Sequence, residues 1–343
     1  MTAIAGLFNG RFEIPDNPAT PTFPGIIFLN GIPVSAYNPA LLDERQNETS
    51  QFGVLSYLHS GEAVDFRISA FTKYSTLHFR RDPTLSDIAF NGISQNALLK
   101  SFANGMQVDA VGRIASDHTL RSGLFVSGER FTSQTASAVL VQDGTDEFGN
   151  PTFGSTPATS FPNEIFASIG NTGWAYSAWL QDEWQLVPDL TVNYGARFDA
   201  VSQFVVGSQI SPRLNTVWQA TPTTVFHAGY ARLFTPPPFQ EGPAENLAQL
   251  NDFNGTGLTT SGATPSTANS PLQIERANLF DVGASQNLFD SLKIGLDLYY
   301  KFARDGVDFG QFGAPIITIP FNYGIVANRG VELTASYENG PFS

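Results

Sequence analysis

Thr191-Val-Asn-Tyr-Gly-Ala-Arg-Phe-Asp-Ala200 sets Val192, Tyr194, Ala196, Phe198 and Ala200 on one face of an extended chain and Asn193, Gly195, Arg197 and Asp199 on the other, because successive side chains of a strand point to opposite faces. One side suits hydrocarbon and the other suits water. The stretch belongs to two long hairpins in succession, Tyr176 to Phe234, each closed by a tight turn. A soluble sandwich would pack such an apolar face on a second sheet. Alternation therefore leaves two readings, and the lengths of the connections separate them.

Period-two stretches and turn residues predict about a dozen strands. They run near Ile4 to Phe12, Thr49 to His59, Val64 to Phe79, Leu98 to Ala115, Thr119 to Phe131, Gly173 to Leu186, Leu190 to Val205, Gln209 to Gln219, Thr223 to Phe234, Arg276 to Asn287, Leu292 to Arg304 and Ala327 to Glu338. Five joints are tight and carry Gly, Pro, Asp or Ser: Ser60-Gly61-Glu62, Ser116-Asp117-His118, Val187-Pro188-Asp189, Thr221-Pro222-Thr223 and Phe289-Asp290-Ser291. Five are long and rich in Gly, Pro, Ser, Thr and Asn: Glu13 to Glu48, Arg80 to Ala97, Thr132 to Thr172, Thr235 to Glu275 and Asp305 to Val326. Short and long joints alternate, with one exception near Val206 to Ser208, so the long loops gather at one rim and the tight turns at the other. Outer-membrane barrels have this asymmetry, whereas a sandwich or propeller has no reason for it.

Composition agrees. Charged residues make up only 14% of the 343, while aromatics reach 13% with 29 Phe, as expected of strands that face lipid on one side. No window approaches the ~18 consecutive apolar residues of a spanning helix. There is no cysteine, hence no disulfide framework and no thiolate metal site. The formal charge of -13 and the lack of a basic run argue against a nucleic-acid partner. Met1 is followed by no basic n-region or apolar signal core, which places the start of any exported precursor elsewhere.

The wet and dry faces recur in Lys293, Gly295, Asp297, Tyr299 and Lys301 against Ile294, Leu296, Leu298, Tyr300 and Phe302, and in Glu332 to Glu338 against Val331 to Tyr337. Trp174, Tyr176, Trp184, Tyr194, Trp218 and Tyr230 fall towards strand ends, where aromatic rings sit at headgroup level. Asp182 breaks the apolar set Ala178, Leu180, Trp184 and Leu186, which calls for an interfacial position or a bulge.

Tyr176-Ser-Ala-Trp-Leu-Gln-Asp-Glu-Trp184, Leu190-Thr-Val-Asn-Tyr-Gly-Ala-Arg-Phe-Asp199 and Ile210-Ser-Pro-Arg-Leu214 resemble, in order and spacing, the barrel of TonB-dependent outer-membrane receptors. Phe226 to Pro238, Asp297 to Asp305 and Asn328-Arg-Gly-Val-Glu-Leu333 are similar to its following segments. The closest likeness is to the large-barrel, Oar-like subgroup, whose plug follows a carboxypeptidase-regulatory-like domain. The match is strong from Gly173 to Tyr337; before that it rests on strand rhythm and Arg11-Phe-Glu-Ile-Pro15.

This resemblance implies an all-β, antiparallel transmembrane β-barrel of 22 strands in the bacterial outer membrane, closed around a plug that engages the TonB complex. The present chain accounts for about 12 of those strands and shows no plug, TonB box or aromatic-ending closing strand. It is expected to be an incomplete, internal barrel portion, residues 1–343, of a receptor for a scarce bulky nutrient. The expected partners are outer-membrane lipid, the TonB complex through the missing plug, and an unidentified nutrient. A self-contained pore or adhesin of about twelve strands and an outer-membrane hydrolase are the alternatives.

No enzyme chemistry stands out. No Gly-x-Ser-x-Gly elbow occurs, and His59, His78, His118 and His227 are scattered without metal-ligand spacing, so isolated lumen or loop histidines are expected. No cofactor is implied. Asp143, Asp146, Glu147 and Asn150 depart from an EF-hand pattern and read as a solvated loop tip. Pro236-Pro-Pro238 reads as a stiff strand exit, and Gly255-Thr-Gly257 with Gly262 lacks the strand and helix of a phosphate loop. Arg197, Asp199, Arg213, Lys293, Asp297, Lys301, Glu332 and Glu338 are the candidate lumen residues. They would form wall ion pairs, or contact plug or substrate. First capture of a substrate falls to the loops Thr132 to Thr172 and Thr235 to Glu275.

Overall fold

The computed structural model describes residues 1–14, 28–33, 39–88, 93–140, 142–145, 147, 151–238, 272–289, 291–312 and 317–337. Within them lies one antiparallel sheet of twelve strands in which each strand pairs with the next in sequence. They are β1 (Thr2–Glu13), β2 (Arg45–Ser60), β3 (Val64–Arg80), β4 (Ile93–Ala115), β5 (His118–Val139), β6 (Asn163–Val187), β7 (Leu190–Ser202), β8 (Val206–Thr221), β9 (Thr224–Thr235), β10 (Glu275–Leu288), β11 (Leu292–Phe312) and β12 (Ile317–Tyr337). Among the described residues β1 pairs only with β2 and β12 only with β11, so the sheet they form does not close on itself.

All of the expected strands are present, but several run further than alternation indicates. Ile93 to Ala97, Thr132 to Val139, Asn163 to Thr172, Asp305 to Phe312 and Ile317 to Val326 are strand where the sequence reads as loop. The reason is the absence of lipid. Beyond the apolar band neither face of the sheet turns to lipid, so the apolar-polar alternation disappears while the backbone ladder continues, with Ser137, Ala138, Val139 and Ile165 buried there.

Tight turns lie at one rim. Next to three of them the register slips by one residue, between Arg113 and Ala115, Gln185 and Val187, and Gln219 and Thr221. Such a bulge strengthens the local twist and ends the pairing. Each turn also anchors to a neighbouring strand: Gln185 N donates to Asp117 O, Gln219 N to Asp189 O and Asn287 N to Thr223 O, all at 2.8 Å. The one short joint at the other rim is Gln203 to Val205, where Val201, Val205, Leu272 and Ile274 form a buried cluster with Ala175, Phe204 and Phe234 against it. Pro237 is fully buried beside this joint and its carbonyl accepts from Gln203 Nε2 at 3.1 Å.

Register fixes the two faces, because residues paired across an antiparallel ladder share a face. Tyr194 faces Asp182 in β6 and Leu214 in β8, and the row continues through Tyr230, Phe280 and Tyr300. On this apolar face Leu180, Tyr194, Phe198, Ile210, Leu214 and Trp218 are between 44% and 66% exposed. No second sheet layer covers it among the described residues. An uncovered apolar sheet face of this extent would aggregate in water and is at home in lipid.

All six predicted girdle aromatics lie on that face. Trp174 and Trp184 stand ten residues apart on β6, which at ~3.3 Å per residue and a ~40° tilt separates them by roughly 25 Å, the height of a barrel's apolar band. Trp174 stacks with Tyr176 at 6.3 Å and Trp184 with His118 at 5.4 Å. Tyr230 sits nearer mid-strand, with its hydroxyl donating to Asn278 at 3.0 Å.

Asp182 stays on the apolar face, since the bulge in β6 comes after it. His118 Nδ1 lies 2.6 Å from Asp182 Oδ2, and the Tyr194 hydroxyl donates to the same oxygen at 3.0 Å. The carboxylate is only 7% exposed and sits one alternate position from Trp184. A histidine and a phenol thus satisfy Oδ2 of this carboxylate, while Oδ1 is buried without a hydrogen-bond partner.

Candidate functional site: the polar face and the rim above it

The opposite face is built from the residues between the apolar ones. Gly195 faces Arg213, and the row runs on through Ala231, Leu279, Lys301 and Asn328. Asp297 faces Gly283 and Glu332, and Lys293 faces Asn287 and Ser336. Arg197, Asp199, Arg213, Lys293, Asp297, Lys301 and Glu332 therefore share one face. Glu338 lies outside the described residues.

Three groups on this face are tied together. Arg197 Nε lies 2.7 Å from Asp199 Oδ1, and its Nη2 donates to Ser177 Oγ at 2.8 Å. Ser177 in turn donates to Asp199 Oδ1 at 2.6 Å. The Arg197 guanidinium also sits 5.1 Å from the centre of the Trp179 ring, a cation–π contact. Trp179 lies flat over Gly123, its register partner in β5, where any side chain would strike the indole. Lys301 Nζ bonds Glu275 at 2.8 Å.

The third group corrects the expectation of isolated histidines. His227 Nε2 is 2.9 Å from Asp297 Oδ1 and 3.9 Å from Asp281. His227 and Asp297 stand on β9 and β11 with Gly283 of β10 between them. Lacking a side chain, Gly283 leaves the space in which the two meet. His118 pairs with Asp182 on the other face, so two of the four histidines have carboxylate partners.

Arg213, Lys293 and Glu332 are exposed and make no ion pair among the described residues. Their charges remain available to whatever faces the sheet. Further pairs on the polar face, Arg67 with Asp109 and Arg121 with Glu183, both at 3.3 Å, extend the charged surface across β3 to β6. Phe71 and Phe125 add a stacked apolar patch at 6.1 Å.

Above the wall, two of the long connections dock on each other. Asn30 and Gly31 form the two-residue turn of a small hairpin, Phe28–Leu29 with Ile32–Pro33, and both have positive φ, 51° and 76°, as a type I′ turn requires. Phe28 N donates to Gly154 O at 3.0 Å, Asn30 N to Ser160 O at 2.9 Å and Gly31 N to Ser160 Oγ at 2.7 Å. Leu29 is buried there.

Asp143 organises the second of these connections. Its carboxylate accepts Ser155 N at 2.6 Å, Ser155 Oγ at 2.8 Å, Thr152 Oγ1 at 3.0 Å and the Thr159 hydroxyl. Burial alone would raise its pKa, but the donors from Thr159, Ser155 and Thr152 win and hold it below the ordinary carboxylate value. Asp143 is therefore neither a free loop tip nor an open metal ligand. Asp146, Asn150, Gly255, Gly257 and Gly262 lie outside the described residues.

The alternating pattern reveals the faces but misses Trp179, Glu275 and the histidine partners, because those depend on which strands are neighbours. The partner of Asp182 is 64 residues away.

Comparison with known proteins agrees with this geometry. The family profile described as TonB dependent receptor-like, beta-barrel matches residues 5–343. No curated protein matches the chain in sequence. Among solved structures, the copper transporter OprC is similar with a TM-score of 0.61 at 15% identity, over 88% of this chain and 45% of that one. The ferric yersiniabactin uptake receptor FyuA from Yersinia pestis gives 0.58 at 13%, over 87% and 41%. The ferric citrate transporter FecA in its unliganded form gives 0.56 at 12%, over 86% and 40%. The chain thus spans less than half the length of these relatives, and at such identities the likeness is one of fold. The chain belongs to the TonB-dependent receptor family, whose β-barrels are bacterial outer-membrane proteins, and its described residues supply twelve antiparallel strands of such a barrel.

Proposed function

We propose that residues 1–343 are part of the barrel domain of an Oar-like TonB-dependent receptor that takes up a scarce, bulky nutrient across the outer membrane. In this reading the polar face turns to the lumen, where it meets a plug moved by the TonB complex. The supporting observation is the contrast between the faces. One carries exposed apolar side chains bounded by aromatics, and the other carries Arg213, Lys293 and Glu332 without ion-pair partners among the described residues. A face of the second kind suits a wet, charged partner rather than lipid. The single-sided pairing of β1 and β12 supports a larger barrel, because an open edge offers a row of unpaired backbone groups that a membrane does not tolerate.

Nutrient identity is a separate matter, since the similar structures include a copper transporter and receptors for ferric chelates. The test is an Arg213→Cys variant of the receptor in cells, labelled with a membrane-impermeant maleimide. Labelling that rises when the TonB complex is present and the inner membrane energised, and falls on adding an uncoupler, supports a plug-lined lumen. Labelling indifferent to both would identify a passive pore and overturn the reading.

A further inference from the structure

At the rim where the β1–β2 and β3–β4 connections come together, three oxygens are buried without use in the wall. Asp87 is 1% exposed and Ser94 is fully buried. Both carboxylate oxygens of Asp87 and Oγ of Ser94 lack any hydrogen-bond partner of good geometry. Glu44, itself 6% exposed, adjoins Asp87, as does the Ser94 hydroxyl. The nearby positive side chains are committed elsewhere. Arg81 grips Glu164 at 2.6 and 3.2 Å and reaches the Ser94 carbonyl at 3.4 Å, while Arg45 pairs with Asp43 at 2.6 Å. Asp82 is occupied as well: it accepts Thr84 N at 2.6 Å, Thr84 Oγ1 at 2.5 Å and Asp43 N at 3.1 Å.

Two adjacent buried carboxyl groups cannot both ionise without a compensating cation, and each unsatisfied buried oxygen costs on the order of 1–3 kcal/mol. We propose that Asp87, Glu44 and the Ser94 hydroxyl form a site for a hard divalent cation of the calcium class, which ties the β1–β2 connection to the β3–β4 connection. Every donor is oxygen, which suits Ca²⁺ and disfavours the softer metals that seek nitrogen or sulfur. No three His, Cys, Asp or Glu side chains stand preassembled around a metal position among the described residues. Two carboxylates and a hydroxyl therefore need main-chain carbonyls or water to complete the shell, as the flexible coordination of Ca²⁺ allows.

Burial first, together with the charge and hydrogen-bonding contact of Glu44 and the charge of Asp82, pushes the Asp87 carboxyl up to about 8 against the lowering hydrogen-bonding contact of Ser94. Without a cation Asp87 is then mostly protonated at pH 7, and cation entry must expel that proton. The experiment is a Ca²⁺ titration of the membrane-assembled protein in weak buffer at pH 7, with tryptic cleavage after Arg80 and Arg81 followed in parallel. The expected results are about one proton released per Ca²⁺ bound and, at one hundred times Kd, cleavage slowed about 100-fold. Asp87→Asn abolishes both. Saturating Ca²⁺ that leaves tryptic cleavage of the unaltered protein unchanged overturns the site, whatever the folding of the variant. So does protection that persists in Asp87→Asn, or protection that follows acid alone, which would mark a shared proton between Asp87 and Glu44.

Discussion

Placing an arginine at Leu180 tests the facing scheme where it is most sensitive. Leu180 is 53% exposed on the apolar face of β6, four residues from Trp184 and six from Trp174. At ~3.3 Å per residue and a ~40° tilt it lies ~10 Å from one girdle and ~15 Å from the other, hence within about 3 Å of the bilayer midplane. An arginine there costs ~2–4 kcal/mol, a factor of roughly 30 to 900 in the assembly equilibrium. Gln181 is the adjacent residue on the opposite face, opposed by Arg121 with Glu183 two positions along. Its replacement by arginine meets one like charge and one opposite charge, so the cost stays below about 1 kcal/mol. Urea titration of the whole receptor folding into lipid vesicles, read by the heat-shifted band on a gel, compares the two variants at equal depth. Leu180→Arg should fail or shift strongly, and Gln181→Arg should follow the unaltered protein. Equal behaviour of the pair would refute the assignment of lipid to the apolar face.

Other consequences can be measured in the same system. His118→Ala leaves the Asp182 carboxylate facing the interface without its imidazole, at a cost of about 3 kcal/mol; adding Asp182→Ala should recover about 1–2 kcal/mol of it in a double-mutant cycle, and simple additivity would deny the pair. Gly123→Val forces the Trp179 indole off the wall and should destabilise by about 1–3 kcal/mol, with the loss relieved when Trp179→Ala is combined; an unrelieved loss would point to backbone strain instead. Asp143 has a lowered pKa, so its hold on the β5–β6 connection is complete above ~3.9, the ordinary carboxylate value, and is lost as pH falls through its lower folded value. Limited proteolysis of that connection should accelerate only in this acidic range, and Asp143→Ala should be cleaved readily at neutral pH; cleavage of the unaltered protein that speeds up towards alkaline pH would contradict the sign.

The wall was legible because lipid writes a period of two into every strand that crosses it. Val192 to Ala200 and Ile294 to Phe302 expose that pattern directly, and tight turns such as Val187-Pro188-Asp189 fix where each hairpin folds back. Asn163 to Thr172 and Thr132 to Val139 carried no such signal, since no lipid-facing side imposes a period of two there, and Ser137, Ala138, Val139 and Ile165 are buried whichever face they lie on. The candidate site was legible by face and not by partner. Charges at Arg197 and Asp199 are neighbours along one strand, so their pairing follows from local spacing. His227 with Asp297, and His118 with Asp182, join different strands, and for the first pair a glycine at the crossing leaves the space in which they touch. Asp87 gave no signal at all, because its burial arises from the meeting of two connections.

The most direct test of the membrane-wall account uses the absence of native cysteine. Single cysteines placed one at a time from Asn193 to Asp199 carry a nitroxide spin label, and the protein is examined in bilayers for collision with oxygen and with a water-soluble nickel complex. Labels at Tyr194, Ala196 and Phe198 should collide with oxygen, and those at Asn193, Arg197 and Asp199 with nickel, in strict alternation about Gly195, where a side chain would strike the Leu180 carbonyl and no label is placed. Alternation in the opposite phase, or no alternation through these positions, would contradict it.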